Sequence, residues 1–547
     1  MEYKMVNDQY KKGPIFGTLI ESEIKGNFLT ARVACPVTSA VWKGFLLTYN
    51  YRIEHEREEY YVEADSIVLA GRSYEMTLKL DLAKFPFKMT HWAINVVYEK
   101  DGESYYAGIQ KPRSMQPVYL KQFLFHKNFC LLDNNMIVFQ YRSRGGYWGL
   151  RYRIRNPYDG MGTRWKEWIA TVVFRLNEKR YEKKPGVYLI YEKRCEKAQD
   201  NGYHFFRFCM ENNMEKYLNR QIFYVISKKS VDWKKVSKYK DHVLDFMSLK
   251  YMIYMLRCQL LISSDARNHS YIWQNQDSLL VEDIRQKRHV FLGHGVLALK
   301  KLNENFTARN MRSVLCTVTS EAEGRIFKEE LGFGPHQVAV TGYPRFDALQ
   351  DMSDGFREIL VMPTHRRWVF GIEREIFVQS EYYRRYMELI NSPHLMEQLE
   401  KYDLTLNFYL HPSIGEHIDA FSGGSDRVKI IPYGQYALDD LMMRCKLLIT
   451  DYSSISWDLY FMGKPIILYQ FDMEDYQNTW GSYIDLKKDS PGERVEEIDQ
   501  LLQAIDEYIE NGFAMKEEVL AKREEQFAFL DRNNSKRVCD VLKERNL

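Results

Sequence analysis

Hydrophobic and polar residues alternate in short runs from about residue 13 to about residue 152 of the chain. Alternation with a period of two indicates strands that bury one face. The runs include NFLTARVAC, KGFLLTYNYRIEH, YEMTLKLDLA and HWAINVVYEKDGESYYAGI, and the pair Asp101 and Gly102 in the last run predicts a tight hairpin turn. We therefore expect residues 1–155 to form an all-β, sandwich-like module.

The period changes to that of a helix in residues 156–185. The apolar positions are Trp165, Trp168, Ile169, Val172, Val173 and Leu176, and the polar face carries Lys166, Arg175, Lys179, Arg180, Lys183 and Lys184. A basic amphipathic helix with tryptophans can lie among lipid headgroups. It can equally be a linker helix that packs against its own protein, because periodicity does not distinguish the two.

Apolar strands separated by amphipathic helices fill the rest of the chain, which is typical of parallel α/β sheets. A first series is VYLIYE, RQIFYVIS, CQLLISS, HVFLGHG, VLCTVTS and HQVAVTGYP, and a second is EILVMPTHR, LTLNFYLHP, VKIIPY, CKLLITDYSS and PIILYQF. We expect two successive doubly wound domains, residues 186–350 and 351–547, that face a shared cleft. Ligands of such sheets bind beyond the carboxyl ends of the strands.

The composition indicates a globular protein of several domains, with 547 residues of which 45% are hydrophobic and 28% charged. Since 77 basic residues nearly balance 74 acidic ones, no nucleic-acid partner is expected. The eight cysteines form no CxxC pair, which favours reduced thiols in the cytoplasm over a zinc module or a disulfide framework. No secretory signal or long apolar run occurs, so any membrane contact is expected at the cytoplasmic surface.

A hydroxyl-rich turn, Thr450, Asp451, Tyr452, Ser453 and Ser454, stands between a predicted buried strand and a predicted helix. Free backbone N–H groups and the positive end of the helix dipole favour a phosphate or pyrophosphate at such a place. An activated donor that carries phosphate is therefore the expected ligand. The alternative is that the two serines only cap the helix.

His294 lies between Gly293 and Gly295, just after a predicted strand and before a predicted helix that carries Lys300 and Lys301. Glycine on both sides lets the backbone turn sharply and leaves the imidazole accessible. Imidazole titrates near neutrality, so His294 suits a general base that takes a proton from an acceptor hydroxyl. The alternative is a histidine that merely packs in a loop.

Other polar residues also follow predicted strands. His411 ends a strand before Pro412, where it can pair with a phosphate, protonate a leaving group or be structural. Arg366 follows another strand, two residues after Thr364, and a guanidinium binds phosphate oxygens in bidentate fashion. Arg345, at the expected junction of the two domains, can bind phosphate or brace the hinge.

Several nucleotide-binding fingerprints are absent from the sequence. No G-x-x-x-x-G-K-[ST] loop and no G-x-G-x-x-G pattern occurs, so a P-loop NTPase and a dinucleotide oxidoreductase lose their main support. No DxD-type acidic pair stands at a strand end. We therefore expect catalysis without a metal ion or another cofactor.

The ordered segments YEKRCEKAQDNGYHFFRF, HG followed by lysine, TGYPRFD, PTHR, TDYSS, PIILYQFDMEDY and YIDLKKDSPGERV resemble the CDP-glycerol:poly(glycerophosphate) glycerophosphotransferase family of teichoic acid primases and polymerases. The resemblance runs from about Gly186 to the C-terminus. It implies a GT-B fold, a CDP-glycerol or CDP-ribitol donor and no metal. It also implies that His294 is the base, that His411 handles the donor and that residues 450–454 lie at the donor phosphates.

The reaction implied by the resemblance is transfer of glycerol phosphate or ribitol phosphate to a hydroxyl of a polyprenyl-linked or growing teichoic acid or capsular polymer, with release of CMP. Such an enzyme is expected in the cytoplasm, peripherally bound to the inner leaflet of the membrane. The chain departs from the family at HGVLALKK, where the family reads HGTPLK and where Lys300 comes one residue late, and at PTHR, where the family often reads PTWR. No role is assigned to His365.

Two other functions stay open at this point. A GT-B glycosyltransferase that uses a sugar nucleotide has the same two-domain cleft, since fold alone does not settle function. A non-catalytic carbohydrate- or polymer-binding protein, in which the β module does the recognition, is the other. The sequence leaves open the choice between glycerol and ribitol, between primase and polymerase, and the oligomeric state.

Overall fold

The structure is a computed structural model that describes residues 3–50, 57–88, 90–112, 129–133, 135–143, 145–272 and 280–547. The chain divides into two compact units. The first comprises Met1–Asn177, Met247–Leu256 and Ile272–Arg285, and the second comprises Glu178–Phe246, Arg257–Tyr271 and Gln286–Leu547. The end of the predicted strand KGFLLTYNYRIEH, residues 51–55, lies outside the described residues.

The first unit contains a 13-stranded, mostly antiparallel sheet in the described part of the chain. Asp101 and Gly102 have φ angles of +52° and +77° and join two paired strands, as the sequence predicts. The strands are β1 (Lys4–Met5), β2 (Lys11–Lys12), β3 (Gly17–Lys25), β4 (Phe28–Pro36), β5 (Val41–Asn50), β6 (Arg57–Glu63), β7 (Ser66–Ala70), β8 (Ser73–Asp81), β9 (Thr90–Lys100), β10 (Glu103–Gln110), β11 (Phe129–Leu131), β12 (Met136–Arg142) and β13 (Trp148–Ile154).

Alternation of buried and exposed residues explains the core of this module. Along β4, Leu29, Ala31, Val33 and Cys35 point inward while their neighbours face outward. The same core also takes in residues of β5 and β9, such as Trp92, so the two halves of the sheet pack on each other. The prediction of a β-rich N-terminal module is confirmed.

The second unit contains two parallel sheets. The first has the strand order β16-β15-β14-β17-β18-β19-β20. Its strands are β14 (Gly186–Tyr191), β15 (Arg220–Ile226), β16 (Val243–Asp245), β17 (Cys258–Ser263), β18 (Arg288–Phe291), β19 (Leu315–Val318) and β20 (Val338–Val340). The strand order reverses between β14 and β17, and loops beyond that point form the usual ligand site of such a sheet.

The second parallel sheet has the order β23-β22-β21-β24-β25-β26. Its strands are β21 (Glu358–Val361), β22 (Thr405–Tyr409), β23 (Val428–Ile431), β24 (Leu447–Thr450), β25 (Ile466–Tyr469) and β26 (Glu493–Val495). The order reverses between β21 and β24. Two doubly wound sheets confirm the predicted α/β fold class.

Both faces of each parallel sheet are covered by apolar cores to which helices of the second unit contribute, as such sheets require. The helices of the two units, in the described part of the chain, are α1 (Met161–Glu182), α2 (Asn201–Glu211), α3 (Met214–Leu218), α4 (Trp233–Val236), α5 (Leu249–Arg257), α6 (Val281–Gln286), α7 (Ala308–Met311), α8 (Glu321–Arg325), α9 (Arg374–Phe377), α10 (Glu381–Ile390), α11 (Pro393–Lys401), α12 (Leu438–Arg444), α13 (Ile455–Met462), α14 (Met473–Thr479), α15 (Ile498–Glu510), α16 (Glu517–Gln526) and α17 (Asn534–Glu544).

The C-terminal helix α17 does not stay with the second parallel sheet. Val538, Cys539 and Leu542 pack in one core with Tyr188 and Phe205, which belong to the first parallel sheet and to α2. The sequence places all residues after 350 in the second domain. In the structure the chain returns to the first domain because α17 buries its apolar stripe there.

Candidate functional site

His294 lies in the loop that follows β18, beyond the carboxyl end of the strand. Gly293 has a φ of +73°, and a Cβ there would lie 2.4 Å from the ring of Tyr343. A Cβ on Gly295 would lie 2.6 Å from Oγ of Ser454. Both glycines are therefore required, one for the turn and the other for the close approach of the loop to the Thr450–Ser454 turn.

The helix predicted at Lys300 and Lys301 is wrong, because the described loop 292–303 contains no helix. Partners outside the loop occupy its backbone N–H groups. Leu297 donates to the Glu323 carboxylate at 2.7 Å, and Lys301 donates to the carbonyl of Gly481 at 3.0 Å. A helix would have to satisfy these donors internally, so the loop conformation is set by long-range contacts.

Asp200 orients the imidazole of His294. Its Oδ2 lies 2.6 Å from Nδ1 of His294, while its Oδ1 accepts a hydrogen bond from the N–H of Asn201 and caps α2. The opposite nitrogen, Nε2, lies 3.2 Å from Nζ of Lys193. The His294 side chain is 56% exposed although Asp200 is buried. The neighbours assign the proton to Nδ1 and leave the Nε2 lone pair towards the cavity side.

The charges around Asp200 keep it ionised. Burial alone would raise its pKa, but His294, Lys193 and Arg345 outweigh burial and hold the pKa of Asp200 well below its ordinary value. The pKa of Glu192, which is buried beside Asp200, is shifted upward instead. Burial and the negative charge of Asp200 raise the pKa of Glu192. The buried negative charge is therefore concentrated on the carboxylate that faces the histidine.

The loop that carries Lys193 has a strained backbone. Lys193, Arg194 and Cys195 have φ angles of +44°, +57° and +62°, and each such conformation costs a non-glycine residue about 1 kcal/mol or more. Glu192 holds the loop, because its carboxylate accepts hydrogen bonds from the N–H groups of Asp200 and Tyr203, each at 2.9 Å. The strain brings Lys193 within reach of His294.

Arg345 braces the two parallel-sheet domains. Its guanidinium makes a bidentate pair with Asp458 of α13, at 2.6 and 2.8 Å, and a longer contact of 3.4 Å with Asp200. It also donates to the carbonyl of His294 at 3.1 Å. The donors of the Arg345 guanidinium are therefore already paired with carboxylates, which favours the bracing role over phosphate binding.

The structure does not support Arg366 as a phosphate ligand. Its guanidinium is fully buried, pairs with Asp451 at 2.8 Å and with Asp472 at 2.6 Å, and donates to Oγ1 of Thr364 at 2.8 Å. Asp451 also accepts a hydrogen bond from the hydroxyl of Thr364. Thr450 is buried, and its hydroxyl donates a hydrogen bond to the carbonyl of Met362. A guanidinium that is saturated inside a domain offers no donor to a phosphate in the cleft.

The two serines of the turn differ in exposure. Ser453 is buried, whereas Ser454 is exposed and is the N-cap residue of α13. Among the described residues the Ser454 side chain makes no capping hydrogen bond. The alternative that Ser454 only caps the helix with its side chain is therefore not observed. The Ser454 hydroxyl is available at the start of α13.

His294 and Ser454 line one cavity of about 170 Å³. The polar lining comes from loops of both parallel-sheet domains and includes Lys193, Asp200, His294, Arg345, Ser454 and Asp458. The base predicted from the sequence and one end of the predicted phosphate turn thus share a cavity. His411 is not among the described residues that line it.

His411 belongs to a neighbouring group of basic and aromatic side chains. Its ring stacks on that of His365 with centroids 4.6 Å apart, and its Nδ1 accepts a hydrogen bond from the N–H of Ser413. Burial, followed by the charges of His365 and Lys300, lowers the pKa of His411 to about 4. Lys300 lies with Nζ 3.4 Å from the ring centroid of Trp480.

Sequence reasoning missed Asp200, Lys193, Asp458 and Trp480. A signal for Asp200 was present, since an aspartate directly before a helix that follows the first strand of a doubly wound sheet is both a cap and a switch-point residue. No comparable local signal marks Asp458 or Trp480, which reach the site only through tertiary packing.

A family model of the CDP-glycerol:poly(glycerophosphate) glycerophosphotransferases matches residues 172–544. Minor teichoic acid biosynthesis protein GgaB of Bacillus subtilis (strain 168) is 28% identical over 367 residues, which cover 64% of this chain and 39% of GgaB. The teichoic acid glycerol-phosphate primase of the same strain is 31% identical over 194 residues, which cover 35% of this chain and 48% of the primase. The chain thus spans less than half the length of these relatives.

One solved structure of the wall teichoic acid polymerase TagF aligns with 71% of this chain and 98% of its own, at a TM-score of 0.47 and 16% sequence identity.

Proposed function

Because the chain belongs to the CDP-glycerol:poly(glycerophosphate) glycerophosphotransferase family, we propose that it transfers glycerol phosphate or ribitol phosphate from a CDP-alditol to a hydroxyl of a lipid-linked or growing teichoic acid or capsular polymer and releases CMP. The observation that supports this most directly is the His294–Asp200 pair, which shares a cavity with Ser454. An activated base beside a helix N-terminus suits phosphoryl transfer to a hydroxyl.

In the proposed reaction the acceptor hydroxyl gives its proton to Nε2 of His294 as its oxygen attacks the β-phosphorus of the CDP-alditol. A new phosphorus–oxygen bond forms, and the bond from the β-phosphorus to the bridging oxygen breaks. CMP leaves with that oxygen. Asp200 accepts a hydrogen bond from the Nδ1–H group throughout and stabilises the imidazolium that results.

Lys193 and Ser454 have separate proposed roles. The Lys193 ammonium lies 3.2 Å from Nε2 of His294, so it donates to the basic lone pair until an acceptor hydroxyl replaces it. Ser454 and the first N–H groups of α13 neutralise charge on the donor phosphates. His411, whose Nδ1 accepts from Ser413, donates a hydrogen bond from Nε2 to the departing CMP.

Helix α1 supports contact with the inner leaflet of the membrane. Trp165, Ile169, Val172 and Leu176 form one stripe at helical spacing and are 45%, 38%, 36% and 81% exposed, whereas the buried residues of the helix are Thr163, Arg164, Glu167 and Ala170. An apolar stripe that faces outward beside lysines and arginines suits an anionic bilayer surface. No helix among the described residues is long and apolar enough to cross a bilayer.

Co-sedimentation with phosphatidylglycerol vesicles tests this contact. We expect a Trp165→Glu, Leu176→Glu double variant to lose vesicle binding, because two charges would enter the lipid interface. Val231→Glu is the matched control, since Val231 is 77% exposed and lies outside α1. Equal binding of the double variant and the wild type would contradict membrane contact through α1.

The activity is tested by CMP release from CDP-glycerol and CDP-ribitol in the presence of a polyol-phosphate acceptor, with and without EDTA, and with UDP-sugars as alternative donors. We expect acceptor-dependent release from a CDP-alditol that collapses in His294→Ala and survives in His336→Ala, a matched control at an exposed histidine. Turnover of UDP-sugars alone would indicate a glycosyltransferase. No turnover of any donor by a folded protein would indicate a binding protein.

A further inference from the structure

A second cavity, of about 410 Å³, lies in the unit that contains the two parallel sheets. Its described lining residues are all different from those of the His294 cavity. Residues 296–298 of the loop after His294 form part of its wall, and residues 483–485 and Asp489 of the segment YIDLKKDSPGERV form another part. The volume falls within the range of small-molecule sites, about 300–1,000 Å³. The transfer proposed above gives this cavity and this segment no role.

The indole of Trp457 brings one buried donor to the wall of this cavity. Trp457 is only 1% exposed, and its Nε1–H group has no hydrogen-bond acceptor among the described residues. Its ring packs edge-on against the rings of Tyr460 and Phe527, which hold the side chain in place. A buried indole N–H normally has a partner, because leaving it unpaired costs about 1–3 kcal/mol. The donor therefore indicates a ligand that carries a hydrogen-bond acceptor.

Carboxylates line the same cavity. The side chains of Glu329 and Asp489 are exposed and make no hydrogen bond or ion pair among the described residues. Glu330 and Asp485 add further negative charge, and Arg325 is the one cationic side chain in the described lining. The cavity therefore combines a buried donor with an excess of acceptors and of negative charge.

The helix that carries Glu329 is irregular where it meets the cavity. After α8, residues Ile326–Glu330 form a π-helical turn in which the N–H of Leu331 donates to the carbonyl of Ile326 at 3.2 Å. Ile326, Glu329 and Glu330 of this turn all line the cavity. Turns of this kind are rare and frequently occur at functional sites.

The groups on the wall discriminate between classes of ligand. A phosphate group would face the carboxylates, and a polyamine would offer no acceptor to Trp457. A hydroxyl group both accepts from an N–H and donates to a carboxylate, and the apolar residues 296–298 and Ile484 suit the C–H faces of a sugar or an alditol. We propose that this cavity is a second ligand site, which binds an uncharged sugar or alditol through Trp457 as donor and Glu329 and Asp489 as acceptors.

The indole N–H resonances of the full chain, labelled with the heavy nitrogen isotope in tryptophan, test the site. Trp457→Phe removes one resonance and thereby assigns it. Ribitol and N-acetylglucosamine are the probes, their phosphate monoesters are the anionic counterparts, and spermidine is the cation. We expect an uncharged probe to shift the Trp457 resonance in a saturable way, at lower concentration than its phosphate monoester or spermidine. No nucleotide donor is present, so the result does not depend on the proposed transfer.

Saturation-transfer NMR on the same probes measures affinity without that assignment. We expect the Glu329→Ala, Asp489→Ala double variant, at two exposed positions, to bind about tenfold more weakly, because two hydrogen bonds are lost. Glu321→Ala is the matched control, since Glu321 is an exposed carboxylate of α8 outside the described lining, and it should bind as the wild type does.

Three results would overturn the site. If no uncharged probe shifts the Trp457 resonance, water is the partner of the indole. If the double variant binds as tightly as Glu321→Ala while His294→Ala loses binding, the probe occupies the His294 cavity. Binding of a phosphate monoester or of spermidine in preference to the uncharged probes would contradict the assigned chemistry.

Discussion

Replacement of Asp200 by asparagine separates the charge of this residue from its structural role. Asparagine caps a helix as well as aspartate does, so α2 is expected to keep its N-terminus. Arg345 keeps its bidentate pair with Asp458. The change therefore removes one negative charge next to His294 and leaves the fold in place.

The size of the effect follows from the contact with His294. The Nδ1–Oδ2 distance of 2.6 Å describes a charge-assisted hydrogen bond once the imidazole is protonated in the reaction. Such a bond contributes about 1.5–3 kcal/mol, and about 1.4 kcal/mol corresponds to a tenfold change in rate. We expect kcat of Asp200→Asn to fall by about 10- to 150-fold. The KM for the donor is expected to change little, because Asp200 faces the base.

The assay is steady-state CMP release, measured for Asp200→Asn, for His294→Ala and for the double variant. If Asp200 acts through His294, the double variant is as slow as His294→Ala alone, because residues that act as a unit are not additive. Wild-type kcat for Asp200→Asn would refute the orienting role. So would a double variant that is slower than His294→Ala by the full factor seen for Asp200→Asn.

Two further predictions concern stability. Arg366→Ala leaves Asp451 and Asp472 buried without their partner, so we expect its free energy of unfolding in urea to fall by about 3–5 kcal/mol. The exposed Arg367→Ala is the control and should lose little. Equal stability of the two variants would contradict the buried ion pairs. Burial lowers the pKa of His289 to about 3, so between pH 6.5 and 3 the unfolded chain binds a proton that the folded chain does not. Stability is therefore lost as the pH falls, by about 2 kcal/mol at pH 5. His289→Gln should reduce the difference between the free energies of unfolding measured at pH 7 and pH 5. The same difference in the variant and the wild type would contradict the role of His289.

The sheets were predictable because their strands are buried on both faces and read as continuous apolar runs. β18 and β24 could be recognised from such apolar runs. Because ligands bind beyond the carboxyl ends of parallel strands, the residues that follow these two strands, His294 and the Ser454 turn, became the site candidates. β16 and β26 were missed because each is three residues long and includes charged residues, whereas the equally short β20 is entirely apolar. The β module was predictable from alternation along strands such as β4.

The contacts that give site residues their roles were not predictable from local sequence. Asp200 and His294 are 94 positions apart, and Arg366 is 106 positions from Asp472. An arginine after a strand looks the same whether it faces a ligand or an internal pair of carboxylates. The loop after His294 has helix-compatible residues, yet contacts with Glu323 and Gly481 determine its conformation.

The most direct test of the proposed transfer is phosphorus NMR of the wild-type protein with CDP-glycerol or CDP-ribitol and a polyol-phosphate acceptor. The proposed reaction predicts a new phosphodiester resonance that grows in equal amount with CMP and that is absent in His294→Ala. Hydrolysis of the donor to CMP and free alditol phosphate without a phosphodiester, or a new bond formed only with UDP-sugars, would contradict it.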